Sequence, residues 1–317
     1  MRIFAPLPTY PPGARIGAFL ATHRFLAFMV ARGHQVTVNR NVEFIRTIVE
    51  RQPYTLDGVD VIAEPDASPT VNDLVDAADV IVSHMGDRHR GARIAELALK
   101  PSVRMVHGTP LPPDMTADLV VFNSHWIIPR GFEGRHIVCH PPVPPAEFAT
   151  TPGDRITLVN LHKMKGGYVF DRLTRGMPDH LFLGVDGGYG RSKIVPRRPN
   201  VQIVPSTTNM RDDVYRHTRI LLMPSLNESW GMVGVEAMAS GIPVIAHPTE
   251  GLRECLSYAG IFCDRDDITG WEREIRRLDD PDEWAAASLL ARQRSAELDP
   301  LPHLERFACT VEALCGS

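Results

Sequence analysis

The 317-residue sequence has no C-x-x-C pair, and its five cysteines, Cys139, Cys255, Cys263, Cys309 and Cys315, fall into no zinc-site spacing. An odd, scattered set fits free thiols in a reducing compartment better than a disulfide framework. No stretch approaches the roughly 18 apolar residues of a membrane span. The first residues, Met1-Arg2-Ile3-Phe4-Ala5-Pro6, lack the basic segment and apolar run of a leader. Cytoplasmic residence is therefore the expectation. Strong basic character is missing too: the formal net charge is −4, so no global field draws the chain to nucleic acid or an anionic membrane. G-x-G-x-x-G is absent after the first strand, which counts against a nicotinamide enzyme, and no repeat or low-complexity tract is visible.

What is present is the balance of a globular chain, 44% hydrophobic and 23% charged, at a length that favours two domains. Short apolar runs predict strands at residues 2–4, 35–38, 59–62, 80–83, 103–106 and 119–123. Between the first two, Phe19, Leu20, Phe25, Leu26, Met29 and Val30 lie close to helical spacing, ended by Gly33. That makes a βαβ unit and predicts a parallel sheet. The proline-dense stretch His140-Pro141-Pro142-Val143-Pro144-Pro145 can neither continue a helix nor join a central strand, and reads as a linker. The rhythm restarts with strands at 156–160, 180–184, 201–204, 220–223 and 243–246. The expected organisation is a Rossmann-like domain at 1–148, a second at 149–298, and a helix at 299–317 packing back on the first. Trp271 and Trp284 sit in charged, helical sequence and read as packing residues.

The most informative stretch runs from Pro224 to Ala246, as strand, polar loop, helix, tight turn and strand. A helix starting near Gly231 presents free amides, those of Gly231, Met232 and Val233 beside Trp230, beyond the sheet's carboxyl edge, where phosphate is favoured. Glu228 precedes this helix and Glu236 lies within it, and helical side chains lean toward the N-terminus, so both carboxylates can face one ligand. A carboxylate accepts two hydroxyl hydrogen bonds in fork geometry, which suits a sugar's vicinal diol. Glu236 is assigned to a ribose and Glu228 to a sugar. The alternative is that Glu228 caps the helix and Glu236 is solvated.

This stretch resembles the E-x7-E signature of retaining GT-B glycosyltransferases of the family 4 type. Thr249-Glu250-Gly251-Leu252-Arg253-Glu254 resembles that family's glycine-rich turn ending in Glu, and Ile220-Leu221-Leu222-Met223-Pro224-Ser225 resembles its apolar strand ending Pro-Ser. Gly33-His34-Gln35-Val36 matches its G-H-x-V motif, and Asp79-Val80-Ile81-Val82-Ser83-His84 matches a strand ending in an active-site His. The resemblance implies an α/β chain of GT-B type, two Rossmann-like domains with parallel sheets facing a central cleft, the nucleotide sugar held mainly by the second. It implies a contact from His84 to sugar or acceptor, with His107 ending the next strand similarly. Pro11-Pro12-Gly13-Ala14-Arg15-Ile16-Gly17 resembles the first domain's glycine loop, of which only Gly13 carries over; lacking Cβ, it would let the backbone approach a diphosphate.

Where the family carries G-R-L-x3-K-G, this chain reads Val159-Asn160-Leu161-His162-Lys163-Met164-Lys165-Gly166. Lys165 keeps the cation for the diphosphate, and Asn160 stands in the Arg position, leaving His162, Lys163 or another residue to compensate. The function implied is sugar transfer from a nucleotide sugar, UDP- or GDP-linked, to an acceptor hydroxyl with retention, without a tightly bound cofactor or metal. Asp264-Arg265-Asp266 lies past the last predicted strand and is read as a charged loop, not a metal site. Basic residues in 87–93, and Arg191, Lys193, Arg197 and Arg198, raise the possibility of an anionic acceptor: a phospholipid, a polymer or hydroxymethylated DNA. A nucleotide-sugar epimerase or phosphorylase, or a catalytically silent binding module, remains open on the same fold.

Overall fold

The structure is a computed structural model that describes residues 1–13, 16–44, 51–84, 90–109, 116–187 and 192–316. These form two compact units, 1–142 with 300–317, and 143–299. The crossing after Pro142 comes earlier than the expected break at 148, because Val143 and Phe148 are buried in the second unit's core. Among the described residues no helix is long and apolar enough to cross a membrane.

The first unit begins with β1 (Arg2–Leu7), α1 (Gly17–Ala31) and β2 (Gln35–Arg40), the βαβ unit the sequence predicts. Phe25, Leu26 and Met29 turn α1 onto the sheet, and Gly33 takes φ +92° to end it. A hairpin of β3 (Tyr54–Leu56) and β4 (Val59–Ile62) follows, then α2 (Pro69–Ala77), capped where the Ser68 side chain accepts from the Val71 N–H. Next come β5 (Val80–His84), α3 (Arg90–Ala98), β6 (Ser102–Val106), β7 (Leu119–Phe122) and β8 (His136–Val138). Strand order is β3-β4-β2-β1-β5-β6-β7-β8, parallel except for the β3–β4 hairpin. The order reverses between β1 and β5, so the carboxyl ends of these two strands flank the sheet's switch point.

The second unit opens with α4 (Pro145–Phe148) and β9 (Arg155–Val159). Then follow α5 (Gly167–Gly176), β10 (Phe182–Val185), β11 (Val201–Val204), α6 (Met210–Asp213) and β12 (Thr218–Met223). The rest is α7 (Met232–Met238), β13 (Val244–Ala246), α8 (Glu250–Leu256), β14 (Gly260–Phe262), α9 (Ile268–Arg277) and α10 (Pro281–Glu297). Six parallel strands lie in the order β11-β10-β9-β12-β13-β14, with the switch point between β9 and β12. Trp271 is fully buried, and Trp284 is half-buried with its Nε1–H donated to the Arg219 carbonyl. The last helix, α11 (Leu301–Cys315), returns to the first unit: Phe307 packs on Phe25, and Arg32 grips Glu312 with two 2.9 Å hydrogen bonds.

One residue of the first unit runs against its surroundings. Arg104 sits mid-strand in β6 with no exposed surface, and among the described residues none of its three guanidinium nitrogens has a hydrogen-bond partner. A buried charge without a partner is destabilising, and an apolar side chain of similar length removes the desolvation cost. Arg104→Met should therefore stabilise the protein by about 1–4 kcal/mol, read as a rise in melting midpoint. A lower midpoint would show that the charge is used.

Candidate active site

In the second unit, four chain segments leave the carboxyl ends of β9, β12, β13 and β14 and are held together by close backbone packing. After β9, the chain turns at Asn160, which adopts φ +74° and donates its N–H to the Val185 carbonyl. The Asn160 Oδ1 accepts from the His162 N–H at 3.0 Å, and a Cβ at Gly187 would lie 2.0 Å from that oxygen. The position where the resemblance expects an arginine is thus filled by an amide folded against the chain's own backbone.

A short 3-10 turn, Lys163–Lys165, comes next, with the His162 Nδ1 accepting from the Met164 N–H. It ends at Gly166, φ +102°, where a Cβ would come within 2.1 Å of the Pro224 ring. The turn is therefore seated directly on the Pro224–Glu228 segment, and the Leu226 N–H donates to the Met164 carbonyl at 2.8 Å. Across this contact Lys165 Nζ meets Glu228 Oε1 at 2.5 Å, and the Ser225 hydroxyl donates to the same oxygen at 2.8 Å. Both ends of the ion pair are mostly buried, with side-chain exposure of 23% and 14%. Two residues 63 positions apart, assigned from sequence to a phosphate and a sugar, stand in contact.

Gly231 caps α7 at φ +105°. Glu236, one turn and more inside α7, is 7% exposed, and the Tyr215 hydroxyl donates to its Oε2 at 2.6 Å. Burial and the Glu236 carboxylate together push the Tyr215 pKa well above its ordinary value, so the phenol stays protonated and remains a donor. No sequence signal pointed to Tyr215. The Trp230 side chain is 2% exposed and packs in the core, and Gly231 is buried too, so of residues 230–233 only Met232 and Val233 are partly exposed. Gly251 owes its identity to a close approach: a Cβ there would lie 2.2 Å from the Glu228 carbonyl oxygen. The family-like turn at 249–254 thus braces the loop that carries Glu228.

The D-x-D sequence is tied into its own loop. Asp264 Oδ1 accepts from the Asp266 N–H at 2.9 Å, and the Asp264 carbonyl accepts from the Trp271 indole. Arg265 between them reaches the turn that bears Lys165, a contact the sequence did not disclose. Of the second basic stretch, Arg191 lies outside the described residues, Lys193 pairs with Asp186 at 2.7 Å, and Arg198 with Asp171 at 2.7 Å. In the first, residues 87–89 lie outside the described residues. Arg90 is bound to Asp66 and to the carbonyls of Leu7 and Asn39. These cations hold the fold together, and so present less free positive charge than their sequence clustering implied.

In the first unit, His84 ends β5 and is 4% exposed, stacked between Phe19 at 4.6 Å and His107 at 5.2 Å. Burial, with His107 and Arg104 nearby, lowers the His84 pKa well below that of a free imidazole; burial also lowers His107 to about 4. Both rings are neutral at pH 7. Thr22 donates its hydroxyl to the Ala18 carbonyl and contacts His107 Nε2 at 3.1 Å. Gly13 follows β1, and among the described residues a Cβ there would meet only the Tyr10 carbonyl oxygen at 3.6 Å. Packing among the described residues does not require glycine at 13. Ala14 and Arg15 lie outside the described residues.

A profile described as group 1 glycosyl transferases matches residues 186–280, which hold Glu228, Glu236 and Tyr215. A D-inositol 3-phosphate glycosyltransferase of Streptomyces bingchenggensis is 36% identical over 120 residues, 37% of this chain and 24% of that protein. One of Mycolicibacterium smegmatis is 25% identical over 310 residues, 94% of this chain and 63% of that protein. The chain thus spans less than two thirds of the length of these curated relatives. Among solved structures, Anabaena HepE in complex with UDP superposes with a TM-score of 0.78 at 18% identity, covering 99% of this chain and 100% of that one. Sucrose-phosphate synthase from Thermosynechococcus elongatus superposes with 0.76 at 15% identity, covering 99% of each. The fold is of GT-B type, two Rossmann-like α/β domains, and the chain is similar to group 1 glycosyltransferases of the family 4 type.

Proposed function

We propose that this protein is a retaining glycosyltransferase that moves a sugar from a nucleotide-sugar donor to an acceptor hydroxyl without a tightly bound metal. The observation that carries this reading is the Lys165–Glu228–Ser225 cluster at the second sheet's switch point, where α/β sheets bind ligands. Lys165 offers its ammonium to the donor diphosphate, whose negative charge grows as the glycosidic C–O bond breaks. Glu228, once the ligand draws Lys165 away, accepts hydrogen bonds from hydroxyls of the transferred sugar. Glu236, fixed by Tyr215, holds the ribose. The acceptor hydroxyl attacks on the face the phosphate leaves, and its proton passes to the departing phosphate oxygen. No enzyme nucleophile is needed, and charge stabilisation of the leaving group is the main catalytic term.

A UDP-sugar is the favoured donor, in keeping with the UDP bound by the HepE structure, with GDP-sugar next. The names of the curated relatives favour a phosphorylated polyol among the anionic acceptors. A ligand that binds the folded unit alone stabilises it by mass action, about 2.7 kcal/mol at 100 times its dissociation constant. Melting curves with UDP, GDP, ADP and TDP should therefore single out one nucleotide. A flat response to all four would overturn the reading. With the donor base known, release of that diphosphate from its sugar conjugates, with and without polyol phosphates, identifies donor and acceptor.

A further inference from the structure

The 3-10 turn that presents Lys165 is three residues long, and its own hydrogen bonds, Lys165 N–H to the His162 carbonyl at 2.9 Å and Gly166 N–H to the Lys163 carbonyl at 3.2 Å, have the poorer geometry of that helix type. One side is seated on Pro224 and tied by the Leu226 N–H. On the other, the Arg265 guanidinium donates Nη1–H to the Met164 carbonyl at 3.2 Å and Nη2–H to the Lys163 carbonyl at 2.5 Å. Two successive carbonyls gripped by one planar fork fix the peptide planes on either side of Met164, and these set the direction in which residue 165 leaves the turn. Arg265 is itself anchored. Its backbone N–H donates to His247 Nδ1 at 3.1 Å, and the Asp264–Asp266 turn holds the loop on either side. Arg265 thus links the segments after β13 and β14 to the segment after β9, the first through its backbone N–H and the last through its guanidinium.

We propose that Arg265 is a positioning residue for the diphosphate site: it acts through the Lys163–Lys165 turn, setting where the Lys165 ammonium stands. This rests on the reading of Lys165 as the diphosphate cation. It also accounts for a chain in which Asn160 occupies the expected arginine position. The guanidinium reaches the same turn from the β14–α9 loop, where it orders the remaining cation.

The test is calorimetric, using whichever of UDP, GDP, ADP and TDP binds the wild type most tightly, and its parent nucleoside as the control that lacks phosphate. Arg265→Ala should weaken the diphosphate about ten-fold, the scale of one misplaced charge-assisted contact, and leave the nucleoside unchanged. Arg265→Lys, a single donor in place of a fork, should recover part of the loss. In a Lys165→Ala background, Arg265→Ala should change diphosphate affinity by less than about two-fold, because residues that act through one another are not additive. Equal loss in both backgrounds would overturn the proposal by showing direct ligand contact. Equal loss for nucleoside and diphosphate would overturn it by showing general damage to the unit. A wild type that binds none of the four nucleotides would overturn the functional reading and this inference together. Binding by the wild type with no change in Arg265→Ala would overturn this inference alone. Should Arg265→Ala fail to fold, Arg265→Gln, which keeps one donor and most of the length, serves in the same comparisons.

Discussion

Lys165→Ala should lower turnover by about 10²- to 10³-fold, on the scale of removing one preorganised donor from a developing oxyanion. The argument starts from position. Lys165 Nζ sits at the switch point between β9 and β12, 2.5 Å from Glu228 Oε1, with most of its stem out of water. In that setting its charge is already held at the site before any ligand arrives, and a short movement from Glu228 brings it to a leaving diphosphate. Its removal has a second effect, since Glu228 then stands mostly buried without its ammonium partner, with the Ser225 hydroxyl still donating to Oε1 at 2.8 Å. A bare carboxylate beside the diphosphate position repels it, so donor affinity should fall as well as turnover. Lys165→Met separates the two effects from loss of packing, because it keeps the stem and removes only the charge. Steady-state release of nucleoside diphosphate from its sugar conjugate measures the result. A loss below ten-fold for both variants would remove Lys165 from the chemistry.

Much of the fold was legible in the sequence because buried parallel strands are short apolar runs. Val59–Ile62 and Val201–Val204 have the ends that the pattern predicts. The strands the pattern missed, Tyr54–Leu56, His136–Val138 and Gly260–Phe262, are three residues each and lie at sheet edges. With one neighbour and partial exposure, such strands need no apolar run, so there is no signal to read. The site divides in the same way. Glu228, Glu236 and Lys165 came from motifs of residues close in sequence, whereas the Lys165–Glu228 pair, the Tyr215–Glu236 hydrogen bond and the Arg265 fork join segments that only the folded sheet brings together. The left-handed conformation of Asn160 was hidden for another reason: the letter alone invites comparison with an arginine, while the backbone uses its amide as a local cap. Trp230 shows the converse, a residue adjacent to a ligand-like loop whose side chain the core has taken.

Gly166→Ala should be the most damaging single methyl in the second unit. Its φ of +102° is strained for any residue with a Cβ, at roughly 1–2 kcal/mol. The added carbon would also stand 2.1 Å from Pro224 Cγ and 3.0 Å from the Pro224 carbonyl oxygen. A proline ring cannot swing aside, and the carbonyl belongs to the backbone, so either the Lys163–Lys165 turn or the Pro224–Glu228 loop must move. Overpacking of this kind costs roughly a further 1–3 kcal/mol. Because Lys165 lies on one side of the contact and Glu228 on the other, the displacement separates the two groups that the proposed reaction uses. A shift of about 1 Å in such a pair is worth about 10²-fold in rate. Gly33→Ala isolates the backbone part of the effect. Gly33 has φ +92°, and nothing lies within 4 Å of the Cβ it would gain. The control should therefore show the strain without the clash. Melting midpoints and turnover of the two variants, measured side by side, should show Gly166→Ala both less stable than Gly33→Ala and at least 10²-fold slower. Equal midpoints with full turnover in both would mean that the turn and the loop yield freely to each other, and that the seating of Gly166 on Pro224 does not set the spacing of Lys165 and Glu228.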